Sequence, residues 1–334
     1  METSAEPDLH ARPPESIRQV YKRLQKSKDQ DLESNNKAES GPGFFRPGGG
    51  QPLSGQLDGL DEIFHQFLGS PVSGSVTSSR PETCAVPGLL VYRSLLPPEI
   101  QLALLDRVLH RDLSNPQHKT NLHLHYNVPG PDLDVPCHHY SHSFFDECAL
   151  GLEFTPRDPE MHAPISTRLA LNRKLRWITL GKQYDWTAKR YPREVGPAFP
   201  SDIAHLISGM FAMRPEAAIV NLYNPGDTLS LHRDVSEACD EKLVSVSLGC
   251  EGIFVIGIGC EEPKMSVLRL RSGDVVVMAG DSRSAWHGVP KVIAGTCPEW
   301  LQNWPHVNNE GDHKEWKGWM RGKRINLNVR QIMP

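Results

Sequence analysis

The chain of 334 residues has no C-x-x-C pair, no excess of basic charge, and no apolar run near the roughly 20 residues that a membrane span needs. Each absence excludes something. Seven cysteines, an odd number scattered from Cys84 to Cys297, argue against a disulfide framework and against a structural zinc knuckle. A net charge of −4 argues against a histone-like polycation, so a nucleic acid would have to be met by local patches. The start, METSAEPDLH, is acidic and lacks the apolar stretch of a signal peptide, so the expectation is a soluble intracellular chain with no membrane partner.

What is abundant is glycine and proline, 27 and 28 residues, about one position in six. Residues 1–86 are rich in glycine, proline, serine and charge, with GPGFFRPGGGQPLSGQ at 41–56. That composition buries too little apolar surface to offset chain entropy, and predicts a largely disordered N-terminal region ahead of a folded domain at 87–334. Two short amphipathic patterns interrupt it. Ile17, Val20, Tyr21 and Leu24 follow a Ser16/Gln19 capping box, and Leu57, Leu60, Ile63/Phe64 and Phe67/Leu68 repeat at helical spacing. Either could dock on the domain or on a partner, or pack as a peripheral helix. Fifteen histidines are also present. Cys137, His138, His139 and His142 could ligate a metal, but their spacing matches no standard zinc pattern, and a solvated loop is the preferred reading.

From residue 87 the texture changes. LPPEIQLALLDRVLH (96–110) predicts a helix behind prolines, residues 113–165 read as loops, LRWITLGKQYDW (175–186) as an irregular strand region, and SDIAHLISGMFAM (201–213) as a capped helix. Short β runs then follow in quick succession: AAIVNLYN, TLSLH, KLVSVSLG, GIFVIGIG, SVLRLRSGDVVVMAG, SAWHGVP and RINLNVRQI. Many short strands without intervening helices predict a mainly β (α+β) fold, a sandwich or jelly roll.

Chemistry enters with His232-Arg-Asp234. Residues i and i+2 of a strand share a face, so His232 and Asp234 can converge on one ion, and His287 lies 53 residues beyond Asp234. Two histidines and one carboxylate on one face leave open positions, as in the facial triad of non-haem Fe(II) oxygenases. The run from Arg324 to Arg330 places Arg324, Asn326, Asn328 and Arg330 on one face and Ile325, Leu327 and Val329 on the other. A buried strand needs a ligand for four inward polar groups, and an arginine fork suits an anionic dicarboxylate.

Asn221-Leu-Tyr223, the run LSLHRD ending at Asp234, His287 and RINLNVR together resemble the AlkB family of Fe(II)- and 2-oxoglutarate-dependent dioxygenases, across residues 87–334. PGLLVY from 87, LRWITLGKQYDW and FPSDIAHL from 199 look most like the first AlkB homologue of animals, in a fungal or other distant relative. The resemblance implies a double-stranded β-helix buttressed by N-terminal helices, with Fe(II), the cosubstrate 2-oxoglutarate and O2. It implies iron at His232, the catalytic carboxylate Asp234 and His287. Arg324 would grip the distal carboxylate of 2-oxoglutarate, Arg330 would support the metal-side carboxylate and Asp234, and Asn221, Tyr223 and Asn326 would complete the pocket. Trp177 would stack on the substrate base, with Tyr184 in the same lid. Two departures stand out. Asn328 replaces the usual threonine of R-x-N-x-T-x-R, and 36 residues separate His287 from Arg324, among them Trp300, Trp304, Trp316 and Trp319.

Arg168, Arg173, Lys174, Arg176, Lys182, Lys189, Arg190 and Arg193 share their stretch with one acid, Asp185, and interleave with Trp177, Tyr184 and Trp186. Basic and aromatic residues together suit phosphate contact plus base stacking. With the resemblance, they imply a monomeric demethylase of methylated DNA or tRNA, in nucleus, cytoplasm or both with a mitochondrial fraction left open, acting on a single strand or flipped base and releasing succinate, CO2 and formaldehyde. A protein-directed oxygenase acting on histone or other side chains is the second reading. A non-catalytic binding module is the third, and the intact triad counts against it.

Overall fold

Alternating small polar and β-branched side chains, as in Val244 to Leu248, suit a strand with one face in an apolar core and the other toward a second sheet. Ten strands make the body of the computed structural model, which describes residues 11–28, 55–74, 78–130, 143–192, 194–260, 262–306 and 313–334. They are β1 (Leu89–Tyr92), β2 (Trp177–Gly181), β3 (Ala217–Tyr223), β4 (Leu229–His232), β5 (Leu243–Gly249), β6 (Gly252–Ile258), β7 (Lys264–Leu270), β8 (Val275–Met278), β9 (Trp286–Val292) and β10 (Arg324–Arg330). The major sheet runs β1-β8-β5-β10-β3-β2, with the short strand Glu82–Thr83 on its outer edge, and the minor sheet runs β4-β9-β6-β7. Every neighbouring pair is antiparallel. This is the expected double-stranded β-helix: β3 to β6 and β7 to β10 alternate between the sheets, so residues far apart in the chain face one another across the gap.

Helices buttress the major sheet. Helix α1 (Glu15–Lys26) lies elsewhere, on the minor sheet, while α2 (Leu60–Leu68), α3 (Pro98–Leu105) and α4 (Ser201–Met210) share the main core. Leu60, Phe64, Ile100, Leu104, Ile203 and Ile207 are all fully buried there. Gly209 lets α4 approach α2 closely, since a Cβ there would stand 3.2 Å from Ile63. Among the described residues no helix is long and apolar enough to cross a membrane.

Several local expectations change. The Ser16/Gln19 capping box does not form: α1 begins at Glu15 behind Pro14 with no side-chain cap, and Gln19 Nε2 instead donates to Glu15 Oε1 at 3.3 Å. The α4 helix likewise starts after Pro200 without a side-chain cap. In both helices proline takes the N-cap position with an extended ψ, where it fixes the direction of entry but offers no side-chain oxygen to the first-turn amides. In the N-terminal region expected to be largely disordered, residues 11–28, 55–74 and 78–86 are described, and both helices there sit against the body. Most of GPGFFRPGGGQPLSGQ and the whole of Cys137, His138, His139 and His142 lie outside the described residues. Within 113–165, loops are joined by a three-stranded sheet of Tyr126–Asn127, Glu153–Pro156 and Ile165–Ser166.

Three of the four tryptophans in the long segment between His287 and Arg324 belong to the core rather than to the cavity. Trp304, Trp316 and Trp319 are buried around Phe145, with ring centroids 5.2, 5.1 and 5.1 Å from it, while Trp300 is exposed. Trp304 Nε1 donates to Asp106 Oδ1 at 2.7 Å, giving its buried polar atom a partner.

Candidate metal centre and cosubstrate pocket

Register builds the centre. His232, the last residue of edge strand β4, is paired directly opposite His287 on β9, and their rings lie 4.3 Å apart. Asp234 follows two residues after the strand ends, so the loop rather than the pleat turns its carboxylate back. Between them, Arg233 stacks over the Trp286 ring at 4.9 Å. His232 Nε2 is 4.0 Å from Asp234 Oδ1 and His287 Nε2 is 3.7 Å from Asp234 Oδ2, and all three donor atoms lie within 4.8 Å of one another.

Both rings are oriented from behind. His232 Nδ1 donates to the Ser230 carbonyl and His287 Nδ1 to the Ala285 carbonyl, each at 2.9 Å. A carbonyl can only accept, so the proton resides on Nδ1 and each Nε2 lone pair faces the shared point. Burial, together with His232 nearby, pushes His287 down to about 4, which keeps it a neutral ligand. Burial opposes the charge on Asp234, yet Arg330, His287 and His232 hold its carboxyl well below the usual range. Two imidazoles and one anionic oxygen on one side are a donor set that fits Fe(II) with positions left open.

A buried network locks the carboxylate, and of its contacts the resemblance implied only that of Arg330 with Asp234. Arg330 Nη2 reaches Asp234 Oδ2 at 2.9 Å and its Nε pairs with Glu237 Oε1 at 3.0 Å. Arg283 pairs with Glu237 Oε2 at 2.8 Å and donates to the Asp234 carbonyl at 2.7 Å. All four polar side chains are largely buried, so each charge depends on the others being present. Arg283 and Glu237 carried no local signal, because nothing in their sequence neighbourhoods predicts that they meet.

Arg324, 1% exposed, has no carboxylate against it among the described residues. Its Nη2 donates to Ser247 Oγ at 3.0 Å and its Nη1 to the Cys250 carbonyl at 3.3 Å, while Nε has no partner. Burial pulls its guanidinium below the ordinary value. Opposite it in register is Tyr223, whose buried hydroxyl is also without a partner and is kept protonated by burial. A buried cation with an orphan donor beside an orphan hydroxyl is costly alone and fits an incoming carboxylate.

The remaining strand residues are fixed by neighbours. Asn326 Nδ2 donates to Ser245 Oγ and to the Val246 carbonyl, both at 2.9 Å, and Asn328 Nδ2 donates to Asn326 Oδ1 at 3.0 Å. The asparagine that replaces threonine thus pins the amide beside it. Asn221, Asn326, Asn328, Arg330 and the three donor residues line one cavity of about 480 Å³; Arg324 and Tyr223 lie outside that lining.

Tyr184 and Trp186 line the same cavity, and Trp177 does not. Trp177 is half-buried and packs on Trp186 with ring centroids 4.7 Å apart, so the expected stacking residue supports the tryptophan that faces the cavity. Asp185 Oδ1 accepts from the Thr187 and Ala188 amides at 2.9 Å, shaping the loop that presents Trp186 and Lys189. Of the basic stretch, Arg168, Arg176 and Lys182 pair with Glu315, Asp227 and Glu216, and Lys189 lines the cavity. Arg193 lies outside the described residues.

Comparison with known proteins agrees with this architecture. A profile of the 2OG-Fe(II) oxygenase superfamily matches residues 139–330. The chain is 41% identical over 361 aligned positions, covering 97% of each protein, to the N6-methyladenosine RNA demethylase ALKB1 of Pyricularia oryzae. It is 46% identical over 224 positions to the N6-methyladenosine RNA demethylase ALKBH of Cryphonectria parasitica, covering 63% of this chain and 99% of that one. It is 38% identical over 260 positions to the tRNA demethylase abh1 of Schizosaccharomyces pombe, covering 74% and 80%. Given that likeness and the donor set above, the chain belongs to the AlkB family of 2OG-Fe(II) oxygenases, whose reaction uses Fe(II), 2-oxoglutarate and O2.

Proposed function

We propose that this protein removes methyl groups from methylated bases of nucleic acid, DNA or tRNA, presented as a single strand or a flipped nucleotide. The observation that carries the reading is one cavity that holds His232, Asp234 and His287 together with Tyr184, Trp186 and Lys189. The first three suit iron, and the last three suit a planar base next to a phosphate. The demethylase names of the three relatives support the same reading.

When bound, Fe(II), 2-oxoglutarate and O2 supply oxygen insertion into a methyl C–H bond, with succinate and CO2 as co-products. The protein's part is to hold and orient. His232, Asp234 and His287 would hold the metal, with Nδ1 protons tied to carbonyls so that neither ring turns. Arg330 keeps Asp234 ionised. Arg324 and Tyr223 would take the far carboxylate of 2-oxoglutarate, with Asn221 and Asn326 flanking it. Trp186, backed by Trp177, and Tyr184 would stack on the base and keep water from the methyl carbon. A hydroxymethyl group on nitrogen then breaks its N–C bond, returning the proton to nitrogen and releasing formaldehyde.

The test supplies Fe(II) and 2-oxoglutarate with methylated single-stranded DNA, methylated tRNA or a methyl-lysine histone peptide, and follows formaldehyde and succinate. Formaldehyde matching succinate on a nucleic-acid probe, abolished by His287→Ala, is the expected result. Turnover on the peptide alone would overturn it in favour of a protein-directed oxygenase.

A further inference from the structure

We propose that residues 11–26 form one wall of the substrate site, with Arg12 contacting a backbone phosphate of the nucleic acid. The inference rests on the nucleic-acid reading above. Ala11, Arg12 and Pro13 line the cavity that holds His232, Asp234 and His287, although more than 200 residues separate them from the triad. Nothing in the composition of the N-terminal region sets these residues apart from a linker.

Helix α1 explains how they come to lie there. Ile17 and Leu24 are buried against Ile253, Val255, Val267 and Ile293 of the minor sheet and its flank. Gly257 makes room for Ile17, whose Cδ1 would be 2.9 Å from a Cβ at that position. Tyr21 Oη donates to the Leu229 carbonyl at 3.0 Å, on the same strand that carries His232, and Lys291 Nζ donates to the Ser27 carbonyl at the far end. Pro13 and Pro14 then stiffen the entry, and the Arg18 amide donates to the Pro14 carbonyl at 3.0 Å. The helix is seated at three points, so Arg12 is delivered to the rim rather than left to sample solvent.

The rim is cationic from three directions. Arg12 and Lys189 are exposed and Arg233 is half-buried over Trp286, yet all three line one cavity. Lys189 holds φ at +51°, a backbone state that non-glycine residues rarely adopt, within the loop shaped by Asp185. The carboxylates in the same lining, Asp234 and Glu237, are already paired with Arg330 and Arg283. A strand whose base enters between Trp186 and the metal would bring its flanking phosphates to this rim.

The experiment measures binding of labelled, N6-methyladenine-containing single strands of about 12 nucleotides, DNA and RNA, to the full-length protein across a salt series. Arg12→Ala should weaken binding about three- to tenfold near 0.1 M salt and lower the log–log salt slope by about 0.7, the value for one phosphate contact on a single strand. Arg12→Lys should retain the slope. The melting temperature of each variant, expected to match the wild type because Arg12 is exposed, shows that the helix stays seated. Wild-type binding with the same affinity and slope in Arg12→Ala would overturn this inference alone. No binding by the wild type to either probe would overturn the nucleic-acid reading with it.

Discussion

Gly252 lies so close to Arg324 that a Cβ there would stand 2.6 Å from Nε and 2.9 Å from both Cδ and Cζ. The guanidinium that is left without a carboxylate is therefore held in a slot that only a glycine on β6 leaves open. Gly252→Ala adds no charge and needs no unusual backbone, so its effect is steric.

The substitution should displace the Arg324 side chain and raise the 2-oxoglutarate requirement on the order of tenfold, since a charge-assisted bidentate bond is lost or misaligned. Mn(II) binding, measured by calorimetry, should be kept, because the three donors lie on other elements. Arg324→Lys should show a similar loss, as an ammonium does not reproduce the planar fork. An unchanged KM for 2-oxoglutarate in both variants would remove Arg324 from the cosubstrate site.

Trp186 and Trp177 are separable by mutation. Trp186→Ala should cost about 1 to 3 kcal/mol of nucleic-acid binding, the usual range for one base–aromatic stack, with little change in melting temperature because its ring is partly exposed. Trp177→Ala removes the ring behind it and should weaken binding less while lowering the melting temperature more. The reverse ranking, in binding and in melting, would return the stacking role to Trp177.

Acid should destabilise the metal-free protein before its carboxylates titrate. Burial pushes His110 and His123 each down to about 4, from an unfolded value near 6.5. Between those values the unfolded chain binds more protons than the folded one, so stability falls as pH drops from about 6.5 to about 4 and levels off below for these groups. Asp106 and Asp112, whose carboxyls burial pushes up, act in the opposite sense, so a variant is needed to isolate the histidine part. His110→Gln should make the fall in melting temperature over that window shallower. An identical slope would show that His110 does not titrate as stated.

Composition alone predicts that the N-terminal region can be removed at no cost, and the packing predicts otherwise. Ile17 is fully buried on the minor sheet, so Ile17→Asp places a charge in the apolar cluster of Leu24, Ile253, Val255, Val267 and Ile293. A melting point lower by several degrees is expected, with a comparable loss on deleting residues 1–28. A truncated protein that melts with the full chain would show that α1 is not seated in solution.

The sequence by itself determined what is periodic and local. Alternation at period two fixes which face of Arg324–Arg330 is polar, helical spacing marks Ile17, Tyr21 and Leu24 as one stripe, and His232 with Asp234 are close by chain connectivity alone. The tertiary structure decided what depends on register and on strand order. His287 stands opposite His232 only because β9 pairs with β4 in one alignment, and a slip of one residue would turn its ring to the other face. Arg330, Glu237 and Arg283 meet around Asp234, Gly252 opens the slot for Arg324, and Arg12 reaches the metal cavity through α1. These contacts join residues tens to hundreds of positions apart, and no local pattern encodes them, because the free energy that selects them comes from burying the whole core at once.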